Sequence, residues 1–175
     1  MIYSGGALIV LIVAALVLVS IRRSQPVVGE TTFAAQGNLH IPLGTVSPVE
    51  YNSTPPTSGP HYENLAAWGI HNQPVRYEHL VHNLEDRGVV IYYQCPEGCP
   101  EMLEELRAVV EPFIDSGRYV VLTPNDPSWG AGGHKDMGAP IALVAWRKLL
   151  LMDEVDAEII RTFIERYEGI DHHRG

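Results

Sequence analysis

Residues 88–122 read GVVIYYQCPEGCPEMLEELRAVVEPFIDSGRYVVL and contain the pattern that decides the fold. The first six residues predict a short buried strand, because they are mostly β-branched or aromatic and are followed by Cys95-Pro96. Residues 119–122 predict a second strand of the same kind. Between them, residues 101–116 predict a helix, because apolar side chains recur at helical spacing: Leu103, Leu106, Val110 and Phe113. A strand–helix–strand unit implies a right-handed parallel crossover.

The segment after Pro140 completes the predicted domain. Residues 141–146 and 149–152 predict two strands joined by a tight turn at Arg147-Lys148, and residues 154–167 predict an amphipathic helix. This order predicts an α/β fold with a thioredoxin-like mixed sheet and flanking helices. The Ala139-Pro140 pair falls where such folds place a proline, usually cis, before a strand.

Composition and charge exclude several classes of protein. The chain has 175 residues, of which 46% are hydrophobic, so it is long enough for one domain with a packed core. Its net charge of −9 repels phosphate backbones, and we therefore expect no nucleic-acid partner. We also expect no nucleotide, since residues 130–133 are Gly-rich but do not lead from a strand into a helix. No catalytic Ser-His-Asp spacing or nucleophile elbow is present in the sequence.

The N-terminus predicts a membrane anchor. Residues 6–21 carry no charge, and the run from Ile2 is long enough for one bilayer-spanning helix, so we assign 1–23 as an uncleaved transmembrane anchor. Arg22 and Arg23 follow the span, and by the positive-inside rule they favour a cytoplasmic domain.

Three further segments follow this anchor in the predicted organisation. Residues 24–60 are rich in proline and short hydroxyl side chains, and we interpret them as an extended tether that wraps the domain. Residues 61–170 form the predicted thioredoxin-like domain, and 171–175 form a polar tail.

Cys95 and Cys99 lie between the first predicted strand and its helix. Helix dipoles favour a thiolate at this position. A three-residue spacer lets both sulfurs face one ion or close a small disulfide ring, and thiolates select Cu(I) or zinc. Metal binding, thiol–disulfide exchange and a structural disulfide remain open, although the usual redox spacing is Cys-x-x-Cys.

The cysteine motif with its flanks, YYQCPEGCPEML at residues 92–103, resembles the copper-binding loop of the Sco family of thioredoxin-like copper chaperones. The resemblance implies that Cys95 and Cys99 bind copper with a later histidine, for which His134 is the candidate by position. It also implies a membrane-anchored protein whose domain lies outside the cytoplasm.

Three histidines and one glutamate form a second set of candidate ligands: His61, His79, His82 and Glu85. The spacing of the last three predicts that they share one side of a helix. Neutral imidazole and carboxylate groups suit Zn²⁺ or Cu(II). The alternative is a set of structural histidines held by hydrogen bonds. We expect no specific role for the histidines of the tail, His172 and His173.

Three stretches resemble a bacterial domain-of-unknown-function family, family 3105: YNSTPPTSGPH at 51–61, VHNLEDRGVVIYY at 81–93 and PIALVAW at 140–146. The resemblance implies a single-span protein with an extracytoplasmic domain, and we adopt that orientation over the one that the arginine pair favours.

Two functions follow as expectations. The first is copper binding through the cysteine loop in the service of a membrane metalloprotein. The second is a non-catalytic accessory subunit of a respiratory or photosynthetic membrane complex, in which Cys95 and Cys99 form a structural disulfide. Thiol–disulfide exchange is a third option.

Overall fold

The computed structural model describes residues 8–14, 16–17, 25–129 and 133–173. Residues 8–14 and 16–17 are helical, and the rest of the predicted transmembrane segment lies outside the described residues, as do 174–175 of the predicted tail. Within the described ranges, no helix is both long enough and apolar enough to cross a membrane. The anchor and its orientation therefore stay predictions.

The centre of the fold is a mixed sheet of six strands in the order β1-β8-β7-β5-β6-β4. The bounds of its strands are Thr31–Thr32 (β1), Gly69–Ile70 (β4), Val89–Tyr93 (β5), Val120–Pro124 (β6), Ile141–Ala145 (β7) and Lys148–Met152 (β8). Strands β4, β5 and β6 run parallel, whereas β7, β8 and β1 add antiparallel pairs. A separate parallel pair joins His40–Ile41 (β2) to His61–Tyr62 (β3).

Three helices accompany these strands: Tyr77–Glu85 (α1), Pro100–Asp115 (α2) and Ala157–Tyr167 (α3). Helix α2 begins at a proline, which lacks the N–H that a first helical turn leaves without a partner. Pro112 lies inside α2 without ending it. Helix α3 begins later than predicted because the Asp156 side chain accepts hydrogen bonds from two backbone N–H groups of its first turn.

The sheet separates two hydrophobic cores. Alternate residues of β5 face opposite sides: Val89 and Ile91 pack with α2 and α3, whereas Val90 and Tyr92 pack with α1. All five residues of β5 are buried, as its predicted apolar run requires. The sheet is therefore covered on both faces, by α2 and α3 on one and by α1 on the other.

The predicted order of strand, helix, strand, hairpin and helix is present along β5, α2, β6, β7, β8 and α3. The hairpin turn falls at Trp146-Arg147, one residue earlier than predicted, and Arg147 has a φ of 64°. Among the described residues the cis peptide bond is Thr54–Pro55, so the bond before Pro140 is not cis.

The segment before residue 61 lies against the domain. Strand β1 pairs with β8 at the sheet edge. The Glu30 side chain is buried and accepts hydrogen bonds from Lys148 and Tyr167. Thr57 and Ser58 have no exposed surface. These contacts fix the path of the chain into β2 and β3.

Candidate metal centre

Four potential ligands meet where the small sheet lies against α1. Strands β2 and β3 pair in register with His40 opposite His61. On α1, His82 and Glu85 lie three residues apart and share a face. One donor atom from each of the four residues lies within 4.8 Å of the other three. We call these four residues the inner cluster.

The shortest contact in the inner cluster joins Nε2 of His61 to Oε2 of Glu85, 3.0 Å apart. Nε2 of His40 lies 3.8 Å from the same oxygen. The ring centroids of His61 and His82 are 5.1 Å apart, and those of His40 and His82 are 5.2 Å apart. Donors of a tetrahedral zinc ion lie about 3.4 Å from one another. Binding one ion would therefore require the more distant donors to approach and the His61–Glu85 pair to separate by a few tenths of an ångström.

Hydrogen bonds to the backbone set the direction of two rings. Nδ1 of His61 lies 2.8 Å from the Gly59 carbonyl oxygen, and Nδ1 of His82 lies 2.7 Å from that of Tyr62. A carbonyl only accepts, so each Nδ1 carries a proton and donates it. In the neutral ring the Nε2 lone pair then faces the cluster. Outer hydrogen bonds of this kind orient metal-binding histidines.

Glu85 is the anionic centre of the inner cluster, with a side chain only 1% exposed. The Asn38 amide donates to its Oε1 over 2.8 Å, so its Oε2 is the atom nearest His61. With Nδ1 protonated and the ring neutral, the His61 Nε2 lone pair faces this oxygen, and a proton or a metal ion between the two atoms would complete the contact. Burial lowers the pKa of His61, although the Gly59 carbonyl and Glu85 act in the opposite direction. A second proton on the ring is thus disfavoured.

A second group of ligand-type side chains adjoins the first and consists of His82, Asp86 and His173. Nε2 of His173 lies 3.2 Å from Oδ1 of Asp86, and Nε2 of His82 lies 3.4 Å from its Oδ2. The hydrogen bond that Nδ1 of His173 donates to Asp171 raises the pKa of His173. We call these three residues the outer cluster; it shares His82 with the inner one.

His79 was predicted as a ligand but lies outside both clusters. It is on α1 with His82 and Glu85, yet six residues separate it from Glu85, which turns its side chain about 120° around the helix axis. Its Nδ1 contacts the Asn64 carbonyl instead. Two residues that are three positions apart share a helix face, but two residues that are six positions apart do not.

The cysteines and His134 are also not part of either cluster. Cys95 and Cys99 form a disulfide, and Cys95 lines a cavity of about 660 Å³ at the ends of β5 and β6. Nδ1 of His134 accepts from the N–H of Asp126, while Nε2 donates to the Val75 carbonyl. Within the described ranges, no metal-ligand group of three includes these residues. Copper binding by the two cysteines stays a prediction for the reduced protein.

Three residues of the clusters had not been predicted as ligands: His40, Asp86 and His173. Two-residue strands such as β2 leave no period in the sequence, so nothing indicated that His40 would pair with His61. Asp86 follows α1 directly and would have been found by extending the helical spacing from His82 by four residues. His173 lies in a short polar tail, which has no sequence pattern that indicates a ligand.

Fold and site together define an α/β protein that carries a histidine–carboxylate cluster beside a mixed sheet. A family model described as "Protein of unknown function (DUF3105)" matches residues 44–174. Because this match covers most of the chain, the protein belongs to that family. No curated protein and no solved structure matches the chain.

Proposed function

We propose that this protein binds one Zn²⁺ or Cu²⁺ ion at the inner cluster. The observation that carries the proposal is the inward direction of Nε2 in His61 and His82, which a backbone hydrogen bond at Nδ1 imposes on each ring. His134 differs, because both of its ring nitrogens form hydrogen bonds to backbone groups. The inner cluster instead directs its nitrogens toward one another and toward a carboxylate.

The donor set favours borderline transition metals. Three imidazoles and one carboxylate suit Zn²⁺ and Cu²⁺. Mg²⁺ and Ca²⁺ prefer oxygen ligands, and Cu(I) prefers sulfur, so these ions fit the inner cluster poorly. A divalent ion would also supply the positive charge that the His61–Glu85 contact lacks when His61 is neutral.

The uneven burial of the four ligands suits a metal ion that is taken up and released rather than held permanently. The side chains of His61, His82 and Glu85 are 0%, 8% and 1% exposed, whereas that of His40 is 44% exposed. A site enclosed on all sides would hold a permanent structural ion. Here three ligands are fixed in the interior and one faces solvent, which favours acquisition and release of the metal.

The wider role that we propose is metal handling at a membrane. In this proposal the N-terminal apolar segment anchors a thioredoxin-like domain outside the cytoplasm, and the domain supplies copper to a membrane metalloprotein. The parallel β5–α2–β6 unit followed by the β7–β8 hairpin and α3 supports the thioredoxin-like assignment. The uncharged run at 6–21 supports the anchor.

The test is a competition titration of the full-length chain in detergent, without a His tag, using Zn²⁺ and then Cu²⁺ against a chromophoric chelator. We expect one ion per chain for the wild type. Glu85→Gln and His82→Gln should each weaken binding by about 10- to 100-fold or more, since each removes a ligand. Circular dichroism of each variant checks that the fold is retained.

His79→Gln is the matched control, because it makes the same substitution on the same helix outside the cluster. It should bind the metal as the wild type does. The proposal would be overturned if the wild type bound no ion, or if His79→Gln and His82→Gln had the same effect.

The cysteine loop carries a separate proposal, that reduced Cys95 and Cys99 bind Cu(I). The position of the pair between a strand end and a helix start, with Cys95 beside a cavity, supports it. A Cu(I) titration of the reduced chain tests it, with Cys95→Ser/Cys99→Ser as the comparison. Equal binding by the two chains would refute it.

The disulfide favours the other candidate function, an accessory subunit of a respiratory or photosynthetic membrane complex. In that role the Cys95–Cys99 bond is purely structural and the domain contacts neighbouring subunits. Extraction of the native membrane with mild detergent tests this function. Co-purification with a large complex would support it, and recovery as a free monomer would count against it.

A further inference from the structure

We propose that the outer cluster is a second metal position, through which an ion reaches and leaves the inner cluster. This inference rests on the proposed function, since it describes how the same ion is loaded. It concerns Asp86 and the tail residue His173, which act with His82. The two positions share His82 and therefore hold one ion in turn.

The geometry of the outer cluster is that of a small ligand set. Nε2 of His173 lies 3.2 Å from Oδ1 of Asp86, and Nε2 of His82 lies 3.4 Å from Oδ2 of the same carboxylate. Nε2 of His173 also lies 3.9 Å from Oε2 of Glu85, the oxygen that contacts His61. Glu85 and His82 thus connect the two positions.

His82 has only one nitrogen to offer. Its Nδ1 donates to the Tyr62 carbonyl, so Nε2 is the sole donor atom for a metal. One lone pair binds one ion at a time, and an imidazole held in this way does not bridge two ions. An ion bound to His82 therefore lies either on the outer side, with Asp86, or on the inner side, with His61.

The outer cluster has the orienting contacts of a metal site. Nδ1 of His173 lies 2.9 Å from Oδ1 of Asp171, and Arg87 pairs with the other oxygen of that carboxylate at 3.1 Å. A carboxylate at one ring nitrogen fixes the other nitrogen toward the metal. Nε2 of His173 accordingly faces Asp86. This arrangement is independent of the backbone bonds that orient the inner histidines.

The tail is attached so that His173 stays over the inner cluster. The backbone N–H of His172 donates to the Glu85 carbonyl at 3.1 Å. The His172 ring stacks on Trp146 with ring centroids 5.7 Å apart. The exposed fractions are 45% for the His173 side chain and 31% for that of Asp86, against 8% for His82. Exposure thus falls from His173 and Asp86 to the shared His82 and on to the buried His61 and Glu85, while His40 is the one exposed ligand of the inner cluster.

The experiment measures the kinetics of Zn²⁺ transfer with the full-length chain in detergent. Stopped-flow mixing gives the rate of loading and the rate of release to excess chelator, and titration gives the affinity. We expect His173→Ala and Asp86→Asn each to slow both rates by about tenfold, the scale on which loss of one metal contact acts. The affinity should change by less than about threefold, because the inner ligands are intact.

His172→Phe is the control, because it keeps the stacking on Trp146 and removes the neighbouring imidazole; its rates should match the wild type. If His173→Ala weakened affinity and accelerated release, His173 would be a ligand of the inner ion, and the outer position would be refuted. Unchanged rates in both variants would also refute it. If the wild type itself bound no Zn²⁺, the proposed function would fail, and the outer position with it.

Discussion

The side-chain amide of Asn38 donates to Oε1 of Glu85 over 2.8 Å, across 47 residues of sequence. This contact comes from the extended segment before the domain and fixes the one buried carboxylate of the inner cluster. It leaves Oε2 as the oxygen that contacts His61. The segment that precedes β2 is therefore part of the candidate site.

Asn38→Ala should weaken Zn²⁺ binding by about 10-fold while leaving all four inner ligands in place, because the Glu85 carboxylate loses the contact that orients it. Competition titration of the full-length chain measures the effect. Asn72→Ala is the control, since Asn72 bonds to Arg107 away from the cluster. Equal affinities for the two variants would contradict an orienting role for Asn38.

His134→Gln should reduce the loss in the free energy of unfolding that occurs below about pH 6.5. Burial lowers the pKa of His134, and protonation would turn Nδ1 from an acceptor into a donor facing the N–H of Asp126. The unfolded chain takes up this proton near pH 6.5, whereas the folded chain resists it. The free energy of unfolding of the wild type therefore falls as pH drops below about 6.5, because the unfolded state binds more protons.

Urea denaturation at several pH values tests this expectation. The His134→Gln variant should be less stable near pH 8 by about 1 kcal/mol, the worth of one hydrogen bond, and should lose less stability between pH 6.5 and 5. His71→Gln, which removes a half-buried histidine outside this contact, is the matched control. A His134→Gln profile parallel to that of the wild type would show that this ring does not resist protonation.

Cys95→Ser/Cys99→Ser should lower the free energy of unfolding by about 2 kcal/mol, the chain-entropy value for so short a loop. Zn²⁺ binding should be unchanged, since neither cysteine belongs to the inner or outer cluster. Denaturation in urea with and without reductant measures the first effect, and reduced wild type should match the double variant. Loss of Zn²⁺ binding in the double variant would mean that the cysteines and the histidines act as one site.

Gly88→Ala should destabilise the domain by about 1–3 kcal/mol through overpacking. A Cβ at this position would lie 2.6 Å from Cζ3 of Trp68 and would press on the Asn83 carbonyl oxygen, which already accepts from the Gly88 N–H. Thermal unfolding measures the loss. In a Trp68→Leu background the added cost of the alanine should be smaller, and an equal cost in both backgrounds would contradict a steric contribution from Trp68.

The four long strands of the main sheet could be predicted from the sequence because each has a local pattern, whereas the two-residue strands β1 and β4 were not predicted. A window of about a dozen residues is enough to recognise the apolar run of β5, the helical spacing of α2, and the hairpin of β7 and β8. Strands of two residues leave no such period, and β2 in particular depends on pairing with a segment some twenty residues away. The small parallel pair was therefore not predicted.

Part of the inner cluster was also within reach of the sequence. His61, His82 and Glu85 were named as ligands from their residue types and spacing, and the structure brings all three together. His79 shared that spacing but points elsewhere, because successive steps of three residues rotate around a helix. The positions of side chains on one helix follow from nearby sequence. The pairing of His40 with His61 across the small sheet joins distant residues and does not.

By itself, the sequence determined the order of the main strands and helices, the acidic character of the chain and the helix that carries two ligands. These follow from periodicity and composition, which act over a few residues. Only the tertiary structure decided that His40 lies beside His61, that Asn38 orients Glu85 and that the tail brings His173 to Asp86. Such contacts join segments far apart in the chain, so they depend on how the layers pack and leave no local pattern in the sequence.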